Sequence, residues 1–543
     1  MNKGIYLRYI KEFCMKPKYI LEYFFLIICI LGSASVSALQ PKVQAMIIDG
    51  AGDKKEIIIN YAFFLLFIVW LGTTLNSVKV ALAKFIAEDL AERMREKICE
   101  KLLILKASFC QQITYSDLLT KSDKDIEEIK ECGIAGIIFL ISNMVNVIIC
   151  IPFMLNIDLE IGVISLVFVM LLPVINHLFK KRTERVASQN LAAYKIYNDR
   201  LADLLNNWKN IRLFSCNGYV KKRFEISNSS YKKSTTEQIK VYIENDYANS
   251  VTQLFGLMFI WILGIKSILA GNLTIGNLIA LVNYQATMYA PMSTITSYIN
   301  ELRISRVALK DIYKFWDYEE ESLEGEELNR IDVLKINKVA YYYDEGRQGI
   351  KETSFTFEKG NVYAITGESG IGKSTLLDII AGLNEEYQGK IIVNGIDKKN
   401  YKINRYRKQI GYIQQNTRYF QDSVYNNITL GSKIEKNDIK KSCNSIDILG
   451  EIEDMKDGWN TVIRENAENL SMGQAKRIDV ARNISRQKSI YIFDETTASI
   501  DAVRRTLFYK MMRKLAVNAI VIFVSHNKDE LKYADFVYEI KNT

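Results

Sequence analysis

The sequence predicts a multi-domain membrane protein: an all-α six-helix transmembrane domain over residues 1–316, then an α/β domain over residues 330–543 built on a P-loop, joined by a linker at 317–329. Three observations predict it. The chain has 543 residues, more than one ordinary domain needs. Long runs without Asp, Glu, Lys or Arg all fall in the first 300 residues, and the phosphate-binding pattern falls after them. With 49% hydrophobic and 24% charged residues, the composition excludes a disordered or collagenous chain.

The membrane half comes first. A spanning helix needs about 20 mostly apolar residues. Charge-free runs at 23–41, 57–78, 132–157, 161–179, 247–265 and 267–300 place spans near 20–46, 57–84, 132–157, 160–182, 247–268 and 274–300. The last run opens on Gly271, Asn272 and Thr274, which read as a short outer turn. Orientation follows from positive charge. With the N-terminus in the cytosol, cytosolic segments carry 29 Lys and Arg and outer connections only 4, so the positive-inside rule puts the N-terminus and the α/β domain in the cytosol of a multi-pass cell-membrane protein. The cytosolic connections 79–109 and 180–208 keep helical apolar spacing without Gly or Pro, so the spans continue as long cytosolic helical extensions. About 25 extra residues add roughly 37 Å. The pattern breaks around 111–117 and 210–217, where short transverse helices are expected at the rod tips, poised to press on another domain. Residues 301–316 continue the last helix into the acidic linker.

Charge and cysteine usage narrow the class. Lys plus Arg is 71 against 62 Asp plus Glu, a formal charge of +9. These cations cluster beside apolar runs, which favours a membrane face and argues against nucleic acid. The eight cysteines form no CxxC pair and no Cys/His cluster of metal-ligand spacing, so they read as reduced thiols. Residues 1–18 are basic and amphipathic and lack a cleavage site, unlike a signal peptide.

The α/β half carries the chemistry. An apolar strand, 362–366, runs into Gly367, Glu368, Ser369, Gly370, Ile371, Gly372, Lys373, Ser374 and Thr375, then an apolar helix at 376–381. This is GxxxxGK[ST] in the strand–helix context it requires. The glycines let backbone N–H groups curl around phosphates, and the helix N-terminus adds partial positive charge. Lys373 is placed to reach the β- and γ-phosphates of ATP and Ser374 to ligate Mg²⁺. A second apolar strand, 489–493, ends in Asp494, a Mg²⁺ ligand through water, and Glu495, a general base for the attacking water. A third, 519–524, ends at Ser525 and His526, one of only two histidines, where the γ-phosphate would sit. Gln415 follows the apolar stretch 410–413 and is placed to sense Mg²⁺ and the water. Ser471, Gly473 and Gln474 open a polar-capped helix, a second phosphate cradle facing away from the first.

These residues carry a resemblance. Residues 330–543 look like an ATP-binding cassette (ABC) domain: the 367–375 loop matches its Walker A, Asp494 and Glu495 its Walker B end and catalytic carboxylate. The resemblance further assigns Asp501 to the D-loop, Gln415 to the Q-loop, His526 to the switch, and Tyr343 to the aromatic that stacks on adenine. Segments at 117–125 and 271–276 are similar to those of six-helix ABC exporters with the membrane domain first. The family implies an ATP hydrolase coupled to transport and a dimer, with ATP and Mg²⁺ as cofactors. Four positions depart from the family pattern. Met472 stands where Gly is usual in the signature, Arg464 and Ala467 replace glycines before it, and Gln414 replaces a frequent Pro. In this family a weakened signature with an intact carboxylate on the same chain often marks one half of a heterodimer. Because Ser471, Gly473 and Gln474 remain, a homodimer is the expectation and a heterodimer with a related half-transporter the alternative.

Span one carries Ser33, Ser35, Ser37 and Gln40, and span six Asn283, Tyr284, Gln285, Thr287, Tyr289 and Ser297. Polar side chains at this depth either bond between helices or line a path. The nearly uncharged set suits a peptide or an amphipathic compound better than an ion. No papain-like peptidase precedes the first span, so leader trimming is not expected of this chain. A lipid or lipid-linked flippase is the second reading. A non-transporting membrane ATPase acting as a regulator is the third, disfavoured because Glu495 and His526 are intact.

Overall fold

The computed structural model describes residues 4–50, 55–112, 118, 120–342, 348–368, 370–496, 502–525 and 527–540. Four of the predicted site residues, Tyr343, Ser369, Asp501 and His526, lie outside these described residues, as do residues 113–117 of the first predicted rod tip. The chain divides into two compact units: residues 1–100 with 115–317, and residues 101–114 with 318–543.

The first unit is helical. Its long helices are α1 (Ile20–Asp49), α2 (Lys55–Ile104), α3 (Gly136–Leu155), α4 (Leu159–Asn206), α6 (Asn217–Leu269) and α7 (Ile275–Trp316), with the short α5 (Trp208–Leu213) between α4 and α6. Among the described residues, five helices are long and apolar enough to cross a membrane. The helix at the sixth predicted span, α7, has the length, 42 residues, but is not among those five, having no 18-residue stretch as apolar as theirs. Two of its polar groups are met by α1: Tyr284 donates to the Ala38 carbonyl at 2.6 Å, and Asn283 donates to Gln44 at 2.8 Å. Buried in this way, they cost little at membrane depth. Of the two predicted rods, the second forms within α4, unbroken for 48 residues to Asn206, while α2 runs unbroken for 50 residues but ends at Ile104, short of the predicted 109.

Caps fix where helices begin. Asp158 accepts from the Ile161 N–H at the start of α4, and Thr274 accepts from the Asn277 N–H at the start of α7. The predicted outer turn before α7 is present, with Gly271 at φ 77°.

In the second unit, strands β1 (Val333–Tyr342), β2 (Gln348–Glu358), β4 (Gln388–Val393) and β5 (Ile396–Asp397) form an antiparallel sheet in the order β2-β1-β4-β5. Strands β3 (Val362–Thr366), β6 (Ile410–Ile413), β7 (Ile490–Asp494), β8 (Ile520–Val524) and β9 (Phe536–Glu539) form a parallel sheet in the order β6-β7-β8-β3-β9. Strands β3, β7 and β8 are apolar almost throughout, as a parallel sheet covered on both faces requires. Alternate residues serve two cores. Tyr363, Ile365, Ile490, Ile492, Ile520 and Ile522 pack with the helix α8 (Lys373–Ala381), while Val362, Ala364, Tyr491, Phe493, Val521 and Phe523 pack with α9 (Met472–Ile484) and α10 (Ala502–Ala516). Each fully buried isoleucine contributes about 2 kcal/mol. Residues 101–112 belong to this unit: the Lys101 ammonium donates to the Tyr318 carbonyl at 2.6 Å and pairs with Glu320, and the Phe109 ring stacks on Tyr318.

Candidate functional site

Parallel strands bring their C-terminal ends to one edge of the sheet, which is where ligands bind in open α/β folds. Here that edge collects the loop after β3, Asp494 and Glu495 after β7, Gln415 after β6 and Ser525 after β8. The topology therefore assembles residues more than 100 positions apart.

The 367–372 loop is shaped by its glycines. Gly370 and Gly372 take φ 80° and 102°, in the left-handed region. A Cβ on Gly372 would stand 2.2 Å from the Gly349 carbonyl oxygen. Gly372 is the residue that caps α8, so the helix begins at Lys373, three residues earlier than its apolar run alone predicts. The Lys373 ammonium is folded onto its own loop, donating to the Gly367 carbonyl at 3.0 Å and the Glu368 carbonyl at 2.8 Å. Burial pulls its pKa down from the usual lysine value, and the carboxylates Glu495 and Asp494 act the other way.

Asp494 is 4% exposed, and burial raises its pKa above the ordinary carboxylate range against the hydrogen bond from Ser374. The Gln415 amide donates to the Glu495 carboxylate at 2.7 Å. Glu495 itself has φ 45°, a conformation that costs a non-glycine residue about 1–2 kcal/mol and holds the carboxylate just beyond the strand end. Ser374, Asp494 and Gln415 offer hard oxygen donors, the kind Mg²⁺ takes. Among the described residues no cluster of three or more His, Cys, Asp or Glu could hold a metal by itself. The donor set thus fits an ion that also binds phosphate oxygens.

Comparison with known proteins reaches the same class. Residues 23–292 match the family description "ABC transporter transmembrane region", and residues 350–498 match "ABC transporter". This chain belongs to the ABC transporter family. Its relatives include the heterocyst differentiation ATP-binding protein HepA of Nostoc sp. (strain PCC 7120 / SAG 25.82 / UTEX 2576), 25% identical over 504 residues, with 88% of this chain and 79% of the relative covered. Another is an ATP-dependent lipid A-core flippase of Coxiella burnetii (strain RSA 493 / Nine Mile phase I), 24% identical over 83% of this chain and 77% of the relative. A third is the putative multidrug export ATP-binding/permease protein YgaD of Bacillus subtilis (strain 168), 23% identical over 85% and 80%. The fold is shared with a bacterial Atm1-family ABC exporter solved with ATP bound, at a TM-score of 0.82 and 18% identity, covering 96% of this chain and 94% of that one. This ABC exporter is a multi-pass membrane protein that binds ATP and couples its hydrolysis to transport.

The segment predicted as a second cradle forms a capping box. Ser471 accepts from the Gln474 N–H at 3.1 Å while its own N–H donates to the Gln474 side chain at 2.9 Å. Met472, the first residue of α9, is 77% exposed. Residues that sequence reasoning missed tie α9 to the Gln415 segment. Lys476, 6% exposed, donates to the Gln414 and Gln415 carbonyls, and Thr417 donates to Asp479 at 2.7 Å. Their only sequence signal was a helical spacing of charge on an otherwise apolar helix. A second missed group is Asp378 on α8, hydrogen-bonded by Tyr412 and close to Asp494, where burial pushes its pKa up to about 6.

Proposed function

We propose that this ABC exporter works as a homodimer that moves a peptide or amphipathic compound out of the cytosol, with its N-terminus and cassette on the cytosolic side. The observation that carries the catalytic part is the hydrogen bond of Gln415 to Glu495 at the sheet edge that also holds Lys373 and Asp494. In this reading the 367–372 backbone and Lys373 hold the phosphates, and Lys373 exchanges its two loop carbonyls for phosphate oxygens. Ser374, Gln415 and Asp494, the last through water, hold Mg²⁺, which when bound neutralises phosphate charge. Glu495 takes the proton of the attacking water, oriented by Gln415. His526 contacts the γ-phosphate, Tyr343 stacks on adenine, and Asp501 with Ser471, Gly473 and Gln474 completes the site from the second copy.

The solute class rests on a polar, nearly uncharged set of side chains in α1 and α7. Names among the relatives support a lipid-linked flippase as a second reading, since one is a lipid A-core flippase and another a multidrug exporter. Glu495→Gln tests the catalytic assignment. It should bind MgATP, trap a closed dimer and lose about 10²–10⁴-fold in turnover, and near wild-type turnover would sink it. Transport is tested by ATP-dependent uptake of a fluorescent amphipathic peptide and a fluorescent phospholipid into inside-out vesicles. Uptake of the peptide supports the first reading, uptake of the lipid alone replaces it with the second, and uptake of neither refutes both.

A further inference from the structure

Helices α1, α2 and α3 line a partly open cavity of about 280 Å³ within the predicted spans, toward the cytosolic end of span two. Ser33, Ser37 and Gln40 of α1 line it, three or four residues apart and so on one helix face. Asn76 and Lys79 of α2 and Ser142 and Asn146 of α3 line it with the same spacing. The helices approach closely because Gly72 has no side chain: a Cβ there would stand 2.8 Å from Val36 Cγ1. A polar wall of this extent facing lipid would be costly, so the cavity opens toward protein or water.

Lys79 decides what the cavity is for. It is 7% exposed, and its ammonium donates to the Ser142 hydroxyl at 2.8 Å. No carboxylate lies within ion-pair distance of it among the described residues. An ammonium has three donors and a full charge, and one hydroxyl satisfies neither. The rest of its polar lining is hydroxyls and amides, beside an apolar part from Ala34, Val36, Val69 and Gly72, and none of these adds charge. We propose that this cavity binds the anionic group, a carboxylate or a phosphate, of the exported solute, with Lys79 as its counter-charge. The inference rests on the exporter reading above and narrows its solute to one carrying an anion. At roughly 30 Å³ per water volume, the cavity admits a headgroup or a peptide terminus and leaves an apolar remainder outside.

The test uses the full-length chain in phosphatidylcholine nanodiscs without nucleotide, titrated calorimetrically against empty discs. The probes share a dodecyl-length tail: N-dodecanoyl-alanine, its neutral amide, and dodecyl phosphate. Wild type should bind at least one anion about 10- to 100-fold more tightly than the amide, the range of a charge-assisted hydrogen bond. Lys79→Gln should lose that preference and Lys79→Arg should keep it. Asn76→Asp, which supplies an internal carboxylate one turn away, should lose it while retaining the lysine. A phosphate preference assigns the anion to a lipid-like solute, and a carboxylate preference to a peptide-like one. Equal binding of all three probes by wild type, or a preference that survives in both Lys79→Gln and Asn76→Asp, overturns the proposal. Because no turnover is involved, failure here is separable from failure of the exporter reading, which the vesicle uptake assay judges.

Discussion

Asp378 shows how burial beside a reaction centre is stored as a pH dependence. It sits on α8, half-buried, with Asp494 nearby and Tyr412 as its hydrogen-bond partner. Burial is the largest cause of its rise from 3.8 to about 6, the Asp494 charge adds to it, and the Tyr412 bond opposes it. A carboxyl whose folded pKa is raised binds its proton more tightly folded than unfolded. Its contribution to stability is therefore full below about pH 4 and lost as pH rises through about 6. Ionisation costs at most about 3 kcal/mol, and half-burial brings the expected figure to about 1–2 kcal/mol. Asp378→Asn, which keeps an acceptor for Tyr412, should then melt at a higher temperature than wild type at about pH 7.5, with the advantage fading toward about pH 4. Nucleotide-free melting curves of the detergent-purified protein across that range check it, and a constant difference at every pH would exclude the assignment. Glu495 makes a different trade, since its left-handed backbone spends stability to aim a carboxylate.

Elements differ in how far they could be read in advance. The rods of α2 and α4 were legible because apolar spacing ran on through 79–109 and 180–208 without Gly or Pro, and β3, β7 and β8 because short apolar runs ended in chemistry-bearing residues. The start of α8 was read late because its apolar run opens at Leu376, while the helix is set by the left-handed Gly372. The ties of Lys476 to the Gln415 segment and of Lys101 to Tyr318 were invisible, because each joins residues remote in sequence whose types are ordinary. The junction of α1 and α7 is of that kind. Asp49 accepts from the Thr274 hydroxyl at 2.6 Å and from the Gly276 N–H at 2.8 Å, so the last turn of α1 caps the first turn of α7. A Cβ on Gly276 would stand 2.4 Å from the Ala45 carbonyl oxygen, a backbone atom with little room to move. Gly276→Ala should therefore push the two helices apart and cost about 1–3 kcal/mol. Gly218→Ala in α6, where an added Cβ meets nothing within 4 Å, should be neutral or stabilise by up to about 1 kcal/mol. Thermal melts of the two variants side by side decide whether the clash or a general dislike of glycine replacement is at work.

At the scale of the whole molecule, assembly decides whether the chain acts alone. The Lys373 ammonium is engaged by its own loop and the Ser471 hydroxyl by its own capping box, so within one chain each cradle is closed on itself. A phosphate chain entering from a second copy offers both a better partner, since charge-assisted bonds are about twice as strong as neutral ones. Met472, the departure that raised the question of a heterodimer, holds its side chain in solvent, away from the Ser471–Gln474 bonds. A residue so placed need not block a phosphate at the helix N-terminus, and both sites of a homodimer would keep Ser471 and Glu495. The chain purified by itself in detergent should therefore form a species of twice 62.5 kDa, excluding bound detergent, and hydrolyse ATP with both sites equivalent. Met472→Gly should leave that turnover within about threefold of wild type if the side chain stays clear, where a true obstruction of a charged hydrogen bond would change it about 10-fold or more. A chain that remains monomeric and turns over only after a second, related half-transporter is added would establish the heterodimer, and the Met472 signature would then belong to its weakened site.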